Sequence, residues 1–196
     1  MPIAPPPCSI RGSLGGHREK RRRDHKAVET EMNQIEDPTT IRLATINEAS
    51  VIALVLREAF AEYEPLYTAG AFAATTPTAE QIEKRWNEGP VWVASHAEQV
   101  VGTVAAAPRD AALYIRSMAL RPLPRGNGLG QMLLEQVESF AQRHSFRRMF
   151  LSTTPFLYRA IRLYERFGFV RIADGPHALH GTPLFIMEKA IQLNVA

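Results

Sequence analysis

From Thr40 onward, apolar positions recur with two alternating periods. Ile41 and Leu43 lead an alternating run through Thr45 that predicts a first strand. Asn47 then sits where it can cap a helix running to about Tyr63, with Val51, Leu54, Val55, Ala59 and Phe60 on one face. A loop containing Pro65, Gly70 and Pro77 follows, and a shorter helix from about Thr78 to Asn87. Three successive strands are expected at Val91 to Ser95, Val100 to Ala106 and Leu113 to Leu120, joined through the short turns His96 to Gln99 and Pro108 to Ala111. Leu129, Met132, Leu133, Val137 and Phe140 then recur at helical spacing up to about His144. Met149 to Thr153 reads as a fifth strand, reached after a helix and so parallel to the fourth. A helix from about Phe156 to Phe167 and strands near Val170 to Ala173 and Leu184 to Lys189 complete an α/β pattern built on one mixed, mostly antiparallel sheet.

The pattern leaves residues 1–38 outside. They carry Pro2, Pro5, Pro6 and Pro7, a Gly15-Gly16 pair and a charged run from His17 to Lys26, with few apolar residues to bury, and read as a disordered leader. Met32 stands just before the polar lead-in to the first strand and reads as the biological start, with residues 1–31 as upstream translated sequence. The folded domain is expected over residues 39–196.

Charge refines this division. The chain of 196 residues has a formal net charge of +3, but residues 1–31 hold seven Lys/Arg against four Asp/Glu, so the remainder balances. A neutral domain argues against nucleic acid as its partner. The basic leader is the one segment that suits such a partner, and a solvated charge run explains it as well. Cys8 is the single cysteine, so no intrachain disulfide can form. No apolar run approaches the roughly 20 residues of a membrane helix, and a cytoplasmic protein is expected.

The candidate chemistry lies at residues 116–130, where a strand-like run meets a glycine-rich turn that opens directly into a helix. Gly126, Gly128 and Gly130 allow backbone angles through which N–H groups converge on one anion, where a helix start already favours negative charge. Two phosphate-binding patterns fail on spacing. No Lys-Ser/Thr follows the glycines as a P-loop requires, and Gln131 stands where a dinucleotide fingerprint needs its third glycine.

The segment Arg125-Gly126-Asn127-Gly128-Leu129-Gly130 resembles the coenzyme A signature of the GNAT superfamily of N-acetyltransferases: Gln or Arg, two residues, Gly, one residue, then Gly or Ala. A strand ending Met118-Ala119-Leu120-Arg121-Pro122 precedes it, as is usual in that family. About 40 residues on, Leu163-Tyr164-Glu165-Arg166-Phe167-Gly168-Phe169 is similar to a second family signature. The resemblance covers roughly residues 40–190 and implies the GNAT fold: about six or seven strands, about four flanking helices, and a parallel pair at strands four and five that splays apart.

The resemblance further implies acetyl-CoA as cosubstrate, with no metal, and an acetyl group passed to a primary amine of a small molecule or protein by direct attack in a ternary complex. Its pyrophosphate would lie on the backbone of Arg125, Gly126, Asn127, Gly128, Leu129, Gly130 and Gln131. Its pantetheine arm would pair with Met118, Ala119 and Leu120 like an added strand. Tyr164 would be the general acid beside the sulfur, although Leu157, Ala160, Ile161 and Tyr164 share one apolar helix face on which a tyrosine could simply pack. Some family members carry a strand-four glutamate, but Leu113 to Leu120 holds only Tyr114, Arg116 and Ser117 as polar groups. Leu157 also stands where the family often has Asn. Glu62, Glu64, Asp110 or a water relay remain as routes for the amine proton, and Tyr63, Tyr67 and Phe72 as aromatic candidates for the substrate wall. His177 and His180, with Asp174 nearby, suggest a metal, but loop histidines without a third spaced ligand rarely form one and none is expected. The missing strand carboxylate leaves a catalytically silent acyl-CoA-binding module as the alternative. Pairing of two copies is common in this fold.

Overall fold

The computed structural model describes residues 39–122 and 128–192. Among the described residues seven strands form one sheet: β1 (Thr40–Leu43), β2 (Val91–His96), β3 (Gln99–Arg109), β4 (Ala112–Leu120), β5 (Arg148–Thr153), β6 (Val170–Leu179) and β7 (Thr182–Ala190), in the order β1-β2-β3-β4-β5-β7-β6. Five α-helices accompany it among the described residues: α1 (Ala49–Phe60), α2 (Ala69–Thr75), α3 (Ala79–Lys84), α4 (Leu129–Arg143) and α5 (Tyr158–Arg166). All pairings are antiparallel except β4 with β5, which is parallel as its crossover helix requires.

The helices divide between two buried clusters. Leu129, Leu133, Leu134, Val137 and Ala141 of α4 pack with Trp92, Leu113, Met149, Leu151 and Met187 of the sheet. Ile52, Val55, Leu56 and Ala59 of α1 pack with Val93, Val100 and Ala119. Side chains alternate across a strand, so one sheet supplies both cores.

Several expectations shift. The first helical segment starts with a 3-10 turn capped at Thr45 rather than Asn47; the Glu48 carboxylate accepts a hydrogen bond from the Thr45 N–H at 2.8 Å, closing a capping box. Its buried stripe runs through Ile52 and Leu56, while Leu54 is 47% exposed. The segment expected as a continuous loop contains α2. The Thr68 hydroxyl accepts from Ala71 N–H at 3.2 Å to start it, and Ala71 and Phe72 are buried. Five alanines and glycines in seven residues carry too weak a periodic signal to reveal this helix beforehand. The final strands extend to a hairpin whose tip, His180-Gly181, adopts positive φ at both residues. Cross-strand pairing with β7 therefore takes in residues 177–179 and 182–183, which lie between the two final strands expected near Val170 to Ala173 and Leu184 to Lys189.

Candidate active site

The parallel pairing of β4 and β5 is short. It joins Ala112–Ile115 to Arg148–Leu151 and then stops, although β4 continues to Leu120 and β5 to Thr153. A β-bulge lies just beyond the last pair. Thr103 faces Ala119 and Ala105 faces Arg116, so Ser117 and Met118 together oppose the single residue Val104, and Ser117 takes φ 51°. A non-glycine residue held there costs on the order of 1–3 kcal/mol and persists only where its surroundings enforce it.

The bulge re-aims the end of β4 and leaves a wedge-shaped gap between it and β5. The Arg121 N–H donates to the Val101 carbonyl at 2.8 Å. By strand alternation Ala119 also turns its backbone toward β3, and the backbone groups of Met118 and Leu120 face the gap. The Ala119 side chain is buried against α1. At the end of β5, the Thr153 hydroxyl is buried and has no hydrogen-bond partner among the described residues.

Helix α4 begins beside this gap. Its cap, Gly128, takes φ 77°, and the Met132 N–H donates back to the Gly128 carbonyl at 3.0 Å. The N–H groups of Leu129, Gly130 and Gln131, one turn earlier, are the ones a helix start leaves without intrahelical partners. The Gln131 side chain bonds Glu135 at 2.9 Å. Gly130 lets the helices approach closely: a Cβ there would stand 2.7 Å from Leu163 Cδ2, which would have to shift, with Leu120 and Met118 at 3.6 and 3.8 Å. The glycine turn, the strand before it and the downstream Leu-Tyr helix thus meet at one point. Arg125, Gly126 and Asn127 lie outside the described residues.

The end of α5 explains the second signature. The Phe169 N–H donates to the Tyr164 carbonyl at 2.9 Å and the Gly168 N–H to the Glu165 carbonyl at 3.0 Å, with Gly168 at φ 96°. This is a Schellman cap, which needs the glycine and turns the following apolar residue back onto the helix. Phe169 accordingly meets Tyr164 edge-to-face at 5.9 Å. Tyr164 is 7% exposed and belongs to the α4 core cluster. Burial holds its phenol well above the usual tyrosine range, and the nearby Tyr67 phenol pushes it further up.

Residues 55–169 match the acetyltransferase (GNAT) family. The chain belongs to that family. It is 30% identical over 148 residues to an uncharacterized N-acetyltransferase of Escherichia coli, YjgM, a match covering 72% of this chain and 88% of that protein. Among solved structures it is similar to the PaiA N-acetyltransferase of Thermoplasma acidophilum in complex with coenzyme A. That likeness has a TM-score of 0.67 at 17% identity and covers 78% of this chain and 99% of the other. A putative acetyltransferase of Salmonella typhimurium, solved with acetyl-CoA, gives a TM-score of 0.64 at 22% identity over 81% and 97%. These two likenesses concern the fold. As a GNAT domain, the chain is an acyltransferase, and no helix among its described residues is long and apolar enough to cross a membrane.

The remaining candidates fall in two groups. Tyr63, Tyr67, Phe72 and Phe156 form an aromatic cluster, with Tyr67 edge-on to Phe156 at 4.8 Å. Burial raises the Tyr67 phenol, and the hydroxyls of Thr154 and Thr75 beside it pull it partly back. Tyr67, Phe72 and Glu64 also line a cavity of about 500 Å³ between α1, α2 and α3. Asp110, by contrast, sits in the turn at the opposite end of β4, about 25 Å along the strand from Met118 at the usual rise per residue. That distance removes it from the site. His180 lies at the hairpin tip, where its carbonyl accepts from the Thr68 hydroxyl at 2.8 Å; the side chains of Asp174 and His177 lie outside the described residues. Of the aromatic residues expected at a substrate wall, Tyr67 and Phe72 line this cavity; Arg57 and the α2 wall carry no sequence signal, because α2 has no clear apolar period.

Proposed function

We propose that this chain is an acetyl-CoA-dependent N-acetyltransferase acting on a primary amine by direct attack in a ternary complex. The observation that carries the reading is the gap that opens after Ile115↔Leu151, with free backbone edges at Met118 and Leu120 beside the start of α4. Free strand edges suit the amides of a pantetheine arm, and an uncapped helix start suits a pyrophosphate. When bound, acetyl-CoA supplies the activated acyl group. The chain's residues do the rest.

Backbone N–H groups from Gly128 to Gln131 hold the phosphates, and the family signature assigns Arg125, Gly126 and Asn127 to the same role. Met118 and Leu120 align the arm, with Ala119 as the spacer between them. An N–H of the bulged strand donates to the carbonyl oxygen where negative charge develops. The amine arrives neutral, and its nitrogen forms a bond to the carbonyl carbon as the carbon–sulfur bond breaks. One proton leaves the nitrogen for solvent, and Tyr164 donates toward the departing sulfur. Its raised pKa keeps the phenol protonated throughout the working range, so it is always a donor. Full transfer would leave a buried phenolate, so Tyr164 works chiefly through a hydrogen bond to the thiolate.

No carboxylate occurs on β4, which favours the silent acyl-CoA-binding module as a second reading. One experiment separates the two: coenzyme A thiol release from acetyl-CoA across a panel of primary amines and peptide N-termini, alongside acetyl-CoA binding by calorimetry. Amine-dependent release is expected; binding without release across the panel would establish the silent module instead.

A further inference from the structure

The cavity of about 500 Å³ between α1, α2 and α3 belongs to none of the elements that hold the cosubstrate. Tyr67 on its lining packs edge-on to Phe156 at 4.8 Å, centre to centre, and Phe156 lies three residues beyond the end of β5, where the sheet opens. Through this pair of rings the cavity adjoins the end of β5, beside the gap proposed to hold the thioester. Its far wall carries Arg57, whose guanidinium carbon stands 5.2 Å from the centre of the Phe72 ring. Phe72 in turn lies 6.1 Å from Tyr67, centre to centre, and Ala73 extends the apolar floor.

Arg57 is poorly committed. Its one ion pair among the described residues is with Glu64 at 4.0 Å, too long for a hydrogen bond, and both side chains are more than half exposed. Such a contact contributes little and is readily parted. The ring face of Phe72 fixes the guanidinium plane by cation–π attraction while leaving its N–H fork open, and that fork matches a carboxylate in two-point geometry.

From this arrangement we infer that the cavity is the acceptor pocket and that it takes an amine carrying a carboxylate at the other end of an apolar spacer. The carboxylate docks on Arg57, the spacer lies along Phe72 and Ala73, and the amine reaches Tyr67 and the thioester. An amine and carboxylate on one carbon would be too close together to bridge the ring-to-ring path, so the spacer has several carbons. The inference rests on the acetyltransferase reading for the chemistry at the amine, but not for recognition of the carboxylate.

The test uses ω-amino carboxylates from glycine to 6-aminohexanoate, the n-alkylamines of matching length and 1,4-diaminobutane. Thiol release and calorimetric binding to the coenzyme A-loaded protein are measured for the wild type, Arg57→Gln and Arg57→Lys. For one chain length, the amino carboxylate should exceed its alkylamine at least tenfold in kcat/KM. Arg57→Gln should raise its KM 10- to 100-fold with kcat nearly constant, and Arg57→Lys should restore part of the loss. Unaltered thermal midpoints would show that these exposed substitutions leave the fold intact. Equal use of the alkylamines, a preference for the diamine through Glu64, or a carboxylate preference that survives in Arg57→Gln overturns the inference. Arg57-dependent binding of the amino carboxylate without release of thiol would refute the acetyltransferase reading and leave the pocket assignment standing. Neither binding nor turnover refutes both.

Discussion

Replacing Tyr164 by Phe removes one oxygen from a side chain that is 7% exposed and keeps the ring in its edge-to-face contact with Phe169 at 5.9 Å. The packing contribution is therefore retained, and the stability change should stay within about 1 kcal/mol, against about 3–5 kcal/mol for truncation to Ala. The catalytic effect has a different size. A hydrogen bond from the phenol to the departing thiolate is charge-assisted and worth about 1.5–3 kcal/mol, which is roughly a 10- to 150-fold fall in kcat. Larger losses are not expected, because a thiol with a pKa of about 8.5 is a better acid than this phenol. The measurement is kcat and KM from thiol release for the wild type and Tyr164→Phe, with thermal midpoints for both and for Tyr164→Ala. Burial pushes the phenol's pKa up, so the wild type should show no alkaline loss of kcat attributable to Tyr164 below about pH 10, the ordinary tyrosine value. A well-folded Tyr164→Phe with unchanged kcat would falsify the hydrogen-bond role and leave Tyr164 as a packing residue only.

Two further outcomes test the scaffold. Gly128→Ala places a side chain at φ 77° with nothing within 4 Å of the new Cβ, so strain alone should cost about 1–2 kcal/mol. Both the melting temperature and acetyl-CoA affinity should fall; an affinity loss without destabilisation would refute strain as the cause. Glu48 is held at a pKa of about 2 by the Arg42 guanidinium at 2.7 Å, against an ordinary 4.5. A depressed carboxylate pKa stabilises the fold above the ordinary value, and that contribution disappears as pH falls from 4.5 toward 2. Because Arg42 is half exposed, screening reduces the pair to about 1 kcal/mol. Urea melts of the wild type and Glu48→Gln should thus differ by about that amount at pH 7 and converge near pH 2; a constant gap at all pH values would sink the assignment.

The elements most legible in the sequence were those whose signal is local. The short apolar runs Val91 to Ser95 and Val100 to Ala106, buried on both faces, and the 3.6-residue spacing along α4 mark an element's type from its own residues, and they required no knowledge of neighbours. The glycine turn and the Leu163 to Phe169 signature were also readable, because left-handed conformations at Gly128 and Gly168 demand glycine locally. Less legible was α2, whose alanine-rich segment becomes helical on a Thr68 cap and the burial of Phe72.

By itself, then, the sequence determined the family, the order of elements and the two signatures, each a consequence of local backbone geometry and hydrophobic period. Only the tertiary structure decided where the signatures meet, at Gly130 against Leu163, and where β4 parts from β5. It also moved Asp110 to the far end of the sheet and joined Arg57, Phe72 and Tyr67 around one cavity. Those relations depend on register, on a bulge and on helices packed across the sheet, and such long-range contacts leave no periodic mark on the chain.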